Sequence, residues 1–167
     1  MEFHRQLLEV ALKLLNSNGN EPSAEASLRR SISTSYYALF HFLVDSSVKR
    51  FAKHEGLRDR LKRCFDHGDM KLASDAFSKS TERAKALVLG PIPQEVEFIA
   101  EAFVELQKER HFADYDASWT PENLPLKASV CAAMVKEAFR AWARIQDHPA
   151  AEAYLIALLT WNKIGKR

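Results

Sequence analysis

Residues 28–45, LRRSISTSYYALFHFLVD, constrain the chain more than any other stretch. Neither Gly nor Pro interrupts them, and their apolar positions recur with helical spacing. At about 100° per residue, Leu28, Ile32, Leu39, Phe42 and Leu43 share one broad side. Arg30, Thr34, Tyr37, His41 and Asp45 fall in a narrow stripe on the opposite side. An apolar side of that width needs a core, so the stretch predicts a long helix inside a helical assembly.

The stripe has chemistry of its own. Arg30 and Thr34, Tyr37 and His41, and His41 and Asp45 are each four apart, the spacing of neighbours on a helix surface. Asp45 beside His41 would orient the imidazole and favour its charged form. An arginine, a tyrosine hydroxyl and a carboxylate-backed histidine on one face suit phosphate binding or proton movement, with Arg30 and His41 as catalytic candidates. The plainer account is a solvated or dimer-contacting helix face. Phe40 and Val44 flank the apolar sector toward Tyr37 and widen it beyond what one core contact needs, so this helix would suit a two-fold contact.

The remaining pattern is helical. The chain has 167 residues, the size of one domain spanning 1–167, and only five are Gly. Apolar spacing predicts helices over 2–15, from Ser23 toward 52, from Met70 to Lys79 or beyond, and over 94–113, 122–146 and 150–163. Asn16 to Asn20 and Gly56 read as stops, and Gly165 as the end of the last helix. Leu89-Gly90-Pro91-Ile92-Pro93 is the clearest linker. Thr120 before Pro121 reads as a helix cap, and Asp147-His148-Pro149 as another. The expected fold is an all-α, up-and-down bundle of five to six helices.

Within the 94–113 helix, Val96, Ile99, Phe103 and Leu106 form an apolar face whose next member is Arg110. An arginine in line with a core stripe needs a partner, and Asp114, one turn on, is the nearest. A structural Arg110–Asp114 pair is the expectation, with Arg110 also a catalytic and ligand-binding candidate.

Several functions lack their signatures. A net charge of +2 implies no particular partner. Between Lys49 and Arg63, however, seven basic residues stand against two acidic ones, a patch suited to phosphate or to a wet helix junction. The six histidines have no metal-ligand spacing, so neither metal nor cofactor is expected. Cys64 and Cys131 form no CxxC motif and read as buried free thiols of a cytoplasmic protein. The N-terminus does not resemble a signal peptide, and no apolar run is long enough to cross a membrane.

Two segments resemble the HEPN family of small helical bundles. Ser35-Tyr36-Tyr37-Ala38-Leu39-Phe40-His41 resembles the family's signature helix. Arg110-His111-Phe112-Ala113-Asp114-Tyr115-Asp116 resembles the Arg–Ala-Asp-Tyr-Asp segment of one branch. The resemblance implies a homodimer that binds RNA, a nucleotide or a partner protein. That partner would be of nucleotidyltransferase type, in a toxin–antitoxin or defence pair. Catalytic HEPN ribonucleases carry Arg, four to six residues, then His. Here His111 directly follows Arg110, and Arg60 to His67 matches only by chance and in the wrong place. The implied protein is therefore non-catalytic, with a divergent metal-independent ribonuclease and a structural dimerisation module as alternatives. The ligand-binding set is Arg30, Tyr37, His41, Asp45, Arg110 and Asp114.

Overall fold

The computed structural model describes residues 2–16 and 23–163, all of them helix, turn or loop. The expected stops at Ser17 to Asn20 and at Gly165 lie outside the described residues. Eight helices occur among those described: α1 (Phe3–Leu15), α2 (Ala24–Phe51), α3 (Glu55–Lys62), α4 (His67–Ser78), α5 (Glu82–Val88), α6 (Gln94–Tyr115), α7 (Leu124–Ile145) and α8 (Pro149–Thr160). The protein is thus an all-α bundle, with more helices than the expected five to six. The two additional ones, α3 and α5, are eight and seven residues long. Segments so short span about two turns, too few for apolar spacing to declare itself.

Local chemistry sets the helix ends. Asp66 Oδ1 accepts from the N–H groups of Gly68 and Asp69, so α4 begins earlier than its apolar pattern suggests. Gly56 does not end α2. It sits in the first turn of α3, and α2 stops at Phe51. Thr120 does not cap α7 either. Asn123 Oδ1 accepts from Leu126 N–H at 2.9 Å, and Asn123 is the cap. His148 Nδ1 accepts from Ala150 N–H at the start of α8, with Pro149 in the first turn. α5 ends on Leu89 in the left-handed region, φ 57° and ψ 36°, with its side chain 92% exposed.

The chain divides into two compact units. One comprises Met1–His41 and Glu105–Ala138, the other Phe42–Val104 and Phe139–Arg167. In the first, Ala11, Ile32, Tyr36, Ala38, Leu39, Leu106, Ala128 and Val135 are fully buried. Small residues dominate that core, and Ser31 Oγ donates to Ala11 O at 2.8 Å, a contact that draws α1 close to α2. Phe3 at the start of α1 is 53% exposed, while His4 beside it is buried.

The second unit has an aromatic core. α4, α5 and α8 pack on one another. Phe77 meets Tyr154 and Trp161, and Phe42 meets Phe139 and Trp142. Tyr154 is fully buried, and burial pushes its phenol pKa upward against the opposing Ser74 hydrogen bond. Its hydroxyl lies 2.8 Å from Ser74 Oγ. Val44, expected to face a second copy, is only 4% exposed and belongs to this core. Cys131 is buried as expected, but Cys64 is exposed because α3 ends two residues before it.

Two stability predictions follow from these contacts. Tyr154→Phe should cost about 1 kcal/mol by leaving the Ser74 hydroxyl unmatched, and adding Ser74→Ala should recover much of it. Urea melts of the four-protein cycle measure the coupling, and a value near zero would mean that the bond contributes nothing. Leu89→Gly should stabilise by about 0.5–1 kcal/mol, since it relieves a left-handed leucine without removing buried surface. A lower urea midpoint would contradict this.

Candidate functional site

The site is built in the first unit, where the apolar face of α6 runs into a charge. Val96, Ile99, Phe103 and Leu106 are all fully buried. Arg110 continues their line, its side chain 18% exposed. A guanidinium in that position cannot shed its charge, so its surroundings must match it.

Three kinds of contact do so. Arg110 Nη2 donates to Tyr37 Oη at 2.8 Å and to Tyr115 Oη at 3.2 Å. The rings of Tyr36, Tyr37 and Tyr115 surround Arg110 Cζ, with centroids 5.7, 5.4 and 5.2 Å away. Aromatic faces within about 6 Å attract a cation. Asp114 Oδ2 lies 3.0 Å from Arg110 Nε and also accepts from Ser33 Oγ at 3.0 Å. The Nε–H is buried and not aimed at any acceptor, so the Asp114 contact is an ion pair without a well-formed hydrogen bond. Burial works against the charged form of Arg110, but Tyr37, Tyr115 and Asp114 outweigh it and the pKa rises.

A neighbouring set of contacts holds the loop that leaves α6. Arg29 donates from Nη1 to Asp116 O at 2.9 Å and from Nη2 to Trp119 O, and its Nε pairs with Glu25 at 2.9 Å. The Trp119 ring stacks on Phe112 at 6.0 Å and 16°. The Ser118 hydroxyl and N–H donate to Asp116, which with Arg29 nearby holds that carboxyl below its usual range.

The sequence-derived candidates therefore separate. Tyr37, Arg110 and Asp114 come together. The stripe of Arg30, Thr34, Tyr37, His41 and Asp45 does not act as one wet face. Thr34 is buried and Arg30 is exposed. His41 packs its ring against Phe3 and Phe40 at 5.0 and 5.3 Å. Asp45 belongs to the second unit, where it faces Lys62 at 3.6 Å. α2 is covered on most of its circumference, so polarity does not mark its outer side. Spacing within single helices does not reveal Ser33, Tyr36, Tyr115 or Arg29 as members of the site. Tyr115 lies within the HEPN-like segment, but nothing in the local pattern distinguishes Arg29 from Arg30.

A partly buried arginine clamped by tyrosines, in an all-α bundle, defines the class of site: a cationic, aromatic-walled surface. No protein-family model, curated protein or solved structure matches the chain. Among the described residues no group of three His, Cys, Asp or Glu side chains could hold a metal ion. No helix among them is long and apolar enough to cross a membrane.

Arg110→Ala should destabilise the protein by about 2–3 kcal/mol, because it strands Asp114 and removes the acceptors' shared donor in a half-dry setting. Chemical denaturation measures this. A change within about 0.5 kcal/mol would mean that the contacts contribute nothing net.

Proposed function

We propose that the chain is a non-catalytic, HEPN-like binding protein that takes a phosphate-bearing ligand, a nucleotide or RNA, at the Arg110 surface. The observation behind this reading is the state of Arg110. Two tyrosine oxygens accept from its Nη2, and the side chain keeps 18% of its surface exposed. Tyr115 is 65% exposed, and with its oxygen accepting from Arg110 its own O–H can turn to a ligand. A planar donor fork beside aromatic faces suits a phosphate with an attached base. The HEPN resemblance carries further parts of the same reading: a homodimer, a cytoplasmic location and a nucleotidyltransferase-type partner in a toxin–antitoxin or defence pair.

A second reading has one observation in its favour. The His111 ring lies 5.3 Å from the Tyr115 ring, so an imidazole stands one side chain away from the guanidinium. A metal-independent ribonuclease would need a proton-transferring group there.

One experiment addresses both readings. Labelled short RNA and ATP are titrated in EDTA against wild type, Arg110→Lys and Tyr115→Phe, with each variant's fold checked by circular dichroism. Arg110→Lys keeps the charge but loses the fork and should bind about 10-fold more weakly. Tyr115→Phe should lose less, and wild-type affinity should fall as salt rises. Equal binding by all three proteins, or none by wild type, would reject the proposal. RNA cleavage abolished by His111→Ala or His41→Ala would favour the ribonuclease.

A further inference from the structure

The second unit contains a groove with a different chemistry, formed where α2 gives way to α3. It has a volume of about 630 Å³ and an apolar floor of Phe51, Leu57 and Leu61. Leu57 is 53% exposed, so its apolar side chain is open to solvent in the groove. Lys53 and Arg60 line the same groove, and Cys64 stands at its edge.

Pairing separates the cations of this basic stretch. Arg50 meets Glu152 at 2.7 Å, Lys62 meets Asp45 at 3.6 Å, and Arg58 donates to Ala52 O and lies 4.0 Å from Glu55. Among the described residues, no carboxylate pairs with Lys53, Arg60 or Arg63. Two of those three border the groove. The excess of positive charge is therefore concentrated on the rim of an open apolar depression rather than spread over the stretch.

We infer that this groove docks an acidic amphipathic segment of a partner protein. The segment's apolar side chains would cover Leu57 and Leu61, and its Asp or Glu side chains would pair with Lys53 and Arg60. The assignment follows from the two chemistries together. An apolar floor alone would not select a charge, and unpaired cations alone would serve a nucleic acid equally well. Nucleic acid fits this groove poorly. Its only aromatic ring besides the His54 imidazole is the half-buried Phe51, and a phosphate backbone would be set against exposed leucine. A helix laid in a groove with apolar anchors one turn apart satisfies both features. The inference is independent of the Arg110 reading, which concerns residues of the other unit.

Cys64 supplies the readout, since it lines the groove and is exposed, whereas Cys131 is buried with its thiol pushed up to about 12 by burial and by Glu109. Alkylation of Cys64 in the full chain is followed by mass spectrometry. The competitors are a synthetic helical peptide with one leucine and one glutamate face, its scrambled version, a leucine–lysine counterpart and a short RNA. The leucine–glutamate peptide should slow Cys64 alkylation about 10-fold or more at saturation, in line with hot-spot contacts, while Cys131 stays unmodified. Leu57→Ser should abolish the protection. The double variant Lys53→Glu, Arg60→Glu should transfer it to the lysine peptide. Circular dichroism verifies that each variant is folded. No protection, equal protection by scrambled or lysine peptide on wild type, or stronger protection by RNA would overturn the inference.

Discussion

The guanidinium of Arg110 is a permanent charge set at the end of an apolar helix face, and the surrounding structure is arranged to match it. Tyr37 brings a hydroxyl from α2, Asp114 a carboxylate from the next turn of α6, and Tyr115 a second hydroxyl from the helix end. Ser33 holds Asp114 from its other side. Each acceptor keeps its position because the cation is there. A lysine could supply the charge but not the two-sided planar fork that reaches tyrosine and aspartate together. The same contacts that stabilise the unit leave the Arg110 side chain 18% exposed. Under the binding role proposed above, structural and ligand-binding roles would coincide in one side chain.

α2 adapts to burial in a way that its composition explains. Ser31, Ser33, Ser35 and Ser47 are fully buried on it. Serine is small enough to let a neighbouring backbone approach, and its hydroxyl bonds locally or across at short range. Ser31 reaches Ala11 O, Ser33 reaches Asp114, and Ser47 returns to Leu43 O within the helix. Of the four, only Ser35 Oγ lacks a hydrogen-bond partner. Residues that read as polar along this helix are thus packing positions, which is why a polar stripe gave the wrong outer face.

The two units solve the matching of charge differently. In the first, Arg29, Arg110 and Lys127 each find a carboxylate, and aromatic rings lie within about 6 Å of each. In the second, the basic stretch after α2 keeps part of its charge unmatched at the rim of an apolar groove. Surface ion pairs contribute little to folding, so leaving Lys53 and Arg60 unpaired costs little stability. That leaves the patch free for the docking inferred above.

The amino-acid pattern by itself determined the all-α class, the apolar line from Val96 to Leu106 and the pairing of Arg110 with Asp114. These depend on spacing within single helices, where the geometry of one turn is known in advance. It also pointed to Leu39 as core, because it lies on the apolar side of a continuous helical stretch. Tertiary structure alone decided which polar residue of α2 meets Arg110. Tyr37 does, Arg30 does not, and Ser33 joins through Asp114, since partners 73 and 81 residues apart leave no local signature. The short helices α3 and α5, the exposure of Cys64 and the burial of Val44 belong to the same category. Each depends on what another segment covers, and coverage is a property of packing rather than of local sequence.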